Sequence, residues 1–151
     1  MIKVLFICHG NICRSPMAEF VMKDLVEAAG MKDAFHIASA ATSTEEIGNP
    51  VHPGTRNLLA TKGISTKGKV AVQVTKKDYD TYDYLVVMDQ NNMRNLMRII
   101  GNDTENKVSK LLDYTPRPGD IADPWYTGNF TKTYEEVLAG CNGLLEKIIN
   151  A

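Results

Sequence analysis

Cys8 and Arg14 are separated by five residues in the segment Cys8-His9-Gly10-Asn11-Ile12-Cys13-Arg14-Ser15. A thiol and a guanidinium at the two ends of one short loop suit one kind of chemistry, attack by a thiolate on an oxyanion that the guanidinium grips. Arg14 offers a planar fork that can hold two equatorial phosphate oxygens at once, which a lysine ammonium cannot do. Gly10 and Asn11 tolerate positive φ, as a loop that folds its N–H groups inward requires. Such N–H groups, with the positive end of a following helix, make an anion site and favour a thiolate. Ser15 could donate its hydroxyl to the Cys8 sulfur. The plainer alternative is a buried strand-end thiol followed by a surface arginine. Gly, Asn and Ser at the useful places favour the chemical reading.

A hydrolytic reaction also needs an acid, delivered by another element. Asp123 is the candidate, in Asp123-Pro124-Trp125-Tyr126. Pro124 restricts the backbone beside it, and Trp125 and Tyr126 could wall the pocket and take water away from the carboxyl. An Asp-Pro dipeptide alone is more often a turn.

The apolar run 3–8 reads as a strand buried on both faces. Ser15 suits an N-cap and Pro16 a first helical position, and Met17, Phe20, Val21, Leu25 and Ala28 then recur at helical spacing up to Gly30. Further strands are expected at 36–39, 70–74 and 84–88, and helices at 52–63 and 91–100. Segment 108–112 is either extended or a turn of helix. Residues 113–129, with Pro116, Pro118, Gly119, Pro124 and Gly128, form a long loop of the sort that is usually functional. Tyr134, Val137, Leu138, Cys141, Leu144, Leu145, Ile148 and Ile149 mark the apolar stripe of a last helix. The alternation implies an α/β fold, a mostly parallel sheet with helices on both faces. Ligands of such folds bind at the carboxyl ends of the strands, where the loop after the first strand lies.

Length and charge set the outer limits. The 151 residues make one domain, 1–151, and a net charge of −1 gives no electrostatic case for nucleic acid or an anionic membrane. No apolar run approaches the ~18–20 residues of a membrane span. Three cysteines without an export signal point to reduced thiols in the cytoplasm. No Cys/His cluster suggests a metal, so neither a metal nor another cofactor is expected. His36 and His52 have no such cluster around them and read as structural or exposed. Lys76-Lys77 and Lys67-Gly68-Lys69 read as solvated loops, and Cys141 as core.

The loop resembles that of low-molecular-weight protein tyrosine phosphatases, C-x-G-N-I-C-R-S-P, matched by Cys8, Gly10, Asn11, Ile12, Cys13, Arg14, Ser15 and Pro16. Asp123, Pro124, Trp125 and Tyr126 match that family's acid loop, and the likeness runs through Ser39-Ala40-Ala41-Thr42, Gln73-Val74-Thr75 and Asp83-Tyr84…Met88-Asp89. The resemblance implies a three-layer sandwich around a four-stranded parallel sheet in order 2-1-3-4. It also implies hydrolysis of phosphotyrosine proteins or peptides through a phosphocysteine, releasing inorganic phosphate. Cys8, Arg14 and Asp123 would be catalytic. His9, Gly10, Asn11, Ile12, Cys13, Ser15, Trp125 and Tyr126 would bind phosphate or substrate. Ser39 would join Asn11 and Ser15 in supporting the loop, and Cys13 could pair with Cys8 in a protective disulfide.

Departures from the family pattern concern the rim and the support. His9 stands where many relatives carry an apolar residue, and Glu45 near an animal tryptophan wall, where a carboxylate would disfavour acidic peptides. Ala41 replaces a common glycine. No histidine lies near Lys67-Gly68 to support Asn11, so the loop is expected to rest on fewer groups. Among competing activities, arsenate reduction needs relay cysteines that residues 80–100 lack. A protein-arginine phosphatase carries threonine where this chain has Ile12. A non-catalytic phosphate-binding module would not need Asp123.

Overall fold

A computed structural model describes residues 1–151. The fold grows from strand β1 (Ile2–Cys8), whose successive side chains point to opposite faces of the sheet. Val4, Phe6 and Cys8 pack on one face with Met17, Val21, Met22, Val137 and Leu144. Leu5 and Ile7 pack on the other with Leu85, Val87, Leu96 and Ile100. An unbroken apolar run therefore serves two cores, and a helix layer covers each face.

β1 pairs in parallel with β2 (Phe35–Ala41) on one side and β3 (Tyr84–Val87) on the other, and β4 (Val108–Lys110) joins β3, giving the order β2-β1-β3-β4. Helices α1 (Arg14–Ala28) and α6 (Phe130–Ile149) pack together beneath one face. Helix α2 (Pro53–Thr61) stands at the site end of that layer. Helices α3 (Lys76–Thr81) and α4 (Gln90–Ile100) cover the other face, and a four-residue helix, α5 (Pro124–Thr127), precedes α6. No helix is long and apolar enough to cross a membrane.

The four-stranded parallel sheet and its order agree with expectation, but its strands are assigned differently. Segment 70–74 is not a sheet strand. It makes only isolated bridges, Ala41 to Gln73 and Pro50 to Val70, so segment 84–88 supplies the third strand and 108–110 the fourth. The physical reason lies in its side chains: Val70 and Val72 are exposed, and only Ala71 and Val74 turn inward. The second strand is longer than 36–39. Segment 108–112 proves to be both alternatives in turn, strand β4 and then a 3-10 turn, Leu111–Tyr114.

Lys76-Lys77 open α3 instead of a loop, started by a capping box in which Thr75 and Asp78 bond each other's backbone N–H groups. Ser15 is not an N-cap. α1 begins two residues earlier than expected, at Arg14 and not Pro16, with Cys13 in the cap position and no side-chain cap bond. The Ser15 hydroxyl is engaged elsewhere.

Candidate functional site

Loop 8–15 joins the end of β1 to α1 at the carboxyl edge of the sheet. Its carbonyls are turned outward by four bonds: Thr42 N–H to Cys8 O (2.9 Å), Ser43 N–H to His9 O (3.0 Å), His52 N–H to Ile12 O (2.9 Å) and Met17 N–H to Cys13 O (3.2 Å). In a trans peptide the N–H points opposite to the C=O. The amides of His9, Gly10, Cys13 and Arg14 consequently face the inside of the loop, as an anion cradle requires.

Cys8 Sγ sits in this cradle. It accepts from Asn11 N–H at 3.3 Å and Ser15 N–H at 3.4 Å, with Ser15 Oγ 3.0 Å away. Asn11 Nδ2 donates to Ser15 Oγ (2.7 Å) and Ser39 Oγ (2.9 Å). Because Ser15 Oγ is already an acceptor, its hydrogen is free to point at the sulfur. Asn11 is the only loop residue with positive φ, 59°. Gly10 does not use that freedom. Asn11 Oδ1 also accepts from Val72 N–H at 3.2 Å, so all three side-chain bonds hold one strained backbone position.

Support extends further than the sequence indicated. Ser39 Oγ donates to buried Glu19 Oε1 (2.5 Å), and Glu19 Oε2 receives Lys23 Nζ (2.6 Å). Lys69 Nζ donates to Ser39 O (2.8 Å) and lies 3.6 Å from Glu19 Oε1. Lys69 is therefore not a solvated loop residue. Burial lowers its pKa, and Glu19 opposes that shift. With no histidine beside Asn11, the loop's support reaches past Ser39 to Glu19 and Lys69.

Arg14 lies buried behind the cradle. Nη1 donates to Asp89 Oδ2 (2.6 Å) and Ile121 O (2.8 Å), and Nη2 lies 3.5 Å from Asp123 Oδ2. Burial alone would lower its pKa. Cys8 and the bonded Asp89 more than offset burial, so the pKa is raised and the guanidinium stays charged. Asp89 is itself fixed as the N-cap of α4, accepting from Asn92 N–H at 2.7 Å. The sequence showed Asp89 only as part of a resemblance. Its signal was an Asp directly before a helical stretch.

Asp123 comes from the long segment, N-capping α5 by accepting Trp125 N–H at 3.0 Å on Oδ1 while Oδ2 faces Arg14. One cavity of about 120 Å³ is lined by Cys8, His9, Gly10, Ile12, Cys13, Arg14, Glu45, Glu46, Asp123, Trp125 and Tyr126. A larger hollow near 56–69 contains none of the nucleophile, clamp or acid candidates. His9 Nε2 and Glu45 Oε2 meet at 2.9 Å on the rim.

Asn11, Ser15 and Ser39 lie behind the cavity as support. Cys13 is a free thiol whose pKa is pushed up to about 12, first by burial and then by the nearby Cys8. Cys141 is likewise free; its Sγ lies 3.7 Å from Ala18 O in the core. His36 is exposed on β2. His52 is no bystander, since its ring stands against Trp125 and Phe130.

A thiol, a fixed guanidinium, inward amides and a carboxyl across a small cavity can together transfer a phosphoryl group. The family model for low molecular weight phosphotyrosine protein phosphatases matches residues 3–151. The low molecular weight protein-tyrosine-phosphatase YfkJ of Bacillus subtilis is 41% identical over 150 residues, covering 98% of this chain and 96% of its own. Its crystal structure superposes with a TM-score of 0.95, covering 99% of this chain and 96% of that one. The Gallus gallus low molecular weight phosphotyrosine protein phosphatase is 42% identical over 149 residues, covering 95% of this chain and 94% of its own. The structure of DARP, a drosophila arginine phosphatase, matches at 29% identity and a TM-score of 0.89, covering 97% and 98%. The chain belongs to the low molecular weight phosphotyrosine protein phosphatase family, and is a hydrolase of the cysteine-dependent kind.

Proposed function

We propose that this phosphatase hydrolyses phosphotyrosine in proteins or peptides, with Cys8 as nucleophile, Arg14 as phosphate clamp and Asp123 as acid and then base. Cys8 Sγ attacks phosphorus, the P–O bond to the aryl group breaks, and Asp123 gives its proton to the departing phenolate. Arg14 and the inward amides hold the equatorial oxygens while charge redistributes. Water then attacks the phosphocysteine, Asp123 takes a proton from it, and the P–S bond breaks to return the Cys8 thiolate and release inorganic phosphate. Ser15 Oγ, 3.0 Å from the sulfur, stabilises that leaving thiolate.

The observation that carries the reading is the convergence of Cys8, Arg14 and Asp123 on one cavity. Ile12, an apolar side chain on the wall, suits an aromatic ring and favours an aryl ester over a phosphoramidate. Free thiols at all three cysteines suit a reducing compartment such as the cytoplasm. The test compares hydrolysis of phosphotyrosine and phosphoarginine peptides by the native enzyme and by Cys8→Ser. Turnover of phosphotyrosine that disappears in Cys8→Ser supports the proposal. A preference for phosphoarginine overturns the substrate, and residual turnover in Cys8→Ser overturns the nucleophile.

A further inference from the structure

We infer that His52 is a positioning residue for Asp123, bracing the acid-bearing segment against the phosphate loop. The inference rests on the proposed role of Asp123 as acid. His52 makes contacts in three directions. Its backbone N–H donates to Ile12 O at 2.9 Å, tying it to the phosphate loop. Its ring Nδ1 accepts Gly54 N–H at 3.0 Å as the N-cap of α2, so the neutral ring carries its proton on Nε2. The ring also stacks on Phe130 (centroids 5.2 Å apart, planes at 16°) and meets Trp125 edge-on (5.5 Å, 75°).

Trp125 lies within α5 and Phe130 opens α6, so one imidazole touches both helices that follow Asp123. The link to the carboxyl is direct, because Trp125 N–H is bonded to Asp123 Oδ1 at 3.0 Å. A displacement of Trp125 therefore moves the acid. Gly54 fits the same arrangement, since a Cβ there would collide with the Phe130 ring that lies against His52. The loop amides and Arg14 do not depend on this ring, being held by Ser39, Asp89 and Ile121.

The two uses of the ring can be separated. His52→Asn keeps a side-chain acceptor for the α2 cap but removes the aromatic plate. His52→Phe keeps the plate and removes the acceptor. An acid out of place costs most when the leaving phenolate is a strong base, so kcat/KM is compared for phenyl phosphate and p-nitrophenyl phosphate, with Asp123→Asn as reference. His52→Asn is expected to lose about tenfold on phenyl phosphate and less than about threefold on p-nitrophenyl phosphate, since ångström-scale misplacement of a reacting group costs up to ~100-fold. His52→Phe is expected to keep the native ratio, and the p-nitrophenyl phosphate rate reports that each variant is folded.

Trp125 is the only tryptophan in the chain, so its quenching by acrylamide reads the brace independently of catalysis. Quenching should rise in His52→Asn and stay near native in His52→Phe. Equal losses on both esters, or unchanged quenching in His52→Asn, would overturn the inference. If Asp123→Asn shows no leaving-group dependence, the acid assignment fails, and quenching alone then decides whether His52 holds Trp125.

Discussion

The phosphate loop and the acid segment face each other across one cavity, yet they are built in opposite ways. In the first, Asn11, Arg14 and Ser15 are all buried; Asn11 and Arg14 are bonded to side chains from other elements, and Ser15 to Asn11 and Cys8 within the loop. In the second, Trp125 is 56% and Tyr126 84% exposed, and the Asp123 carboxyl is held by the Trp125 amide and by a 3.5 Å approach to Arg14. The difference follows from what each must do. Groups that stabilise a shifting charge help most when their dipoles are already aligned, which demands burial and redundant bonds. A group that passes a proton needs only a defined reach, and the surrounding surface can stay open to a bulky substrate.

If preorganisation is the property that separates the two regions, the largest effect belongs to Arg14→Lys. Lysine keeps a charge but loses the fork, and it cannot satisfy Asp89, Ile121 O and two phosphate oxygens together. We expect kcat/KM on p-nitrophenyl phosphate to fall about 100-fold or more, the scale of losing a preorganised oxyanion donor. A loss of only a few fold would mean that charge without geometry suffices, and the contrast would collapse.

Next is Asn11→Ala, which places a Cβ-bearing residue without local bonds at φ 59° and strips Val72 N–H of its acceptor. The cost should be about 2–4 kcal/mol in urea unfolding, from an unmade buried bond and left-handed strain together. Asn11→Gly separates the two causes, since glycine relieves the strain but not the lost bonds. Recovery of full stability in the glycine variant would show that the bonds contribute nothing.

These two regions also differ in how far they could be read from sequence. Loop 8–15 is continuous in the chain, and its strand and helix carry strong apolar periodicity, so Cys8, Arg14, Asn11 and Ser15 were all legible. The supports reach it from far along the chain. Glu19 looked like an ordinary helical carboxylate, and Lys69 sat in a polar stretch that gave no hint of its partners. Segment 70–74 misleads for a related reason: its valines alternate like a strand, yet Val70 and Val72 face solvent and only Val70 and Gln73 form bridges. Asp123 was legible by residue type, but what places it, the His52 ring, was not. A lone histidine gives no signal of an aromatic contact to a segment some seventy residues away in the chain.

A middle-sized effect tests the distant support. Lys69→Met removes an ammonium from Ser39 O and from Glu19, leaving that carboxylate Lys23 as its ion-pair partner and the Ser39 hydroxyl as a donor. We expect a loss of about 1–3 kcal/mol in urea unfolding, the usual cost of unpairing a buried polar group. A turnover loss smaller than that of Asn11→Ala should accompany it. Unchanged stability would confine the loop's support to Asn11, Ser15 and Ser39.

Within the phosphate loop, the two cysteines should differ sharply towards iodoacetamide. Cys13, with its pKa pushed up to about 12, remains a protonated thiol at pH 7 and far from nucleophilic. Mass spectrometry after brief labelling at pH 7 should find one alkylated loop cysteine, Cys8. Bound inorganic phosphate should slow it by covering the cradle. Labelling at Cys13 before Cys8 would contradict the assigned nucleophile.

The smallest effect belongs to the open rim. His9 and Glu45 meet at 2.9 Å with about half or more of each side chain exposed, so solvent screens the pair and its contribution to stability should fall between about 0 and 1 kcal/mol. Glu45→Gln should leave the melting temperature unchanged and alter kcat on p-nitrophenyl phosphate by less than about twofold. The change should appear instead in KM for phosphotyrosine peptides. Removing a carboxylate at the mouth of the cavity relieves repulsion of acidic flanks, so the KM ratio of acid-flanked to base-flanked peptides should fall by about threefold at low salt and vanish at high salt. A change in kcat in place of KM would place Glu45 with the rigid chemistry of the loop and erase the boundary drawn between the two regions.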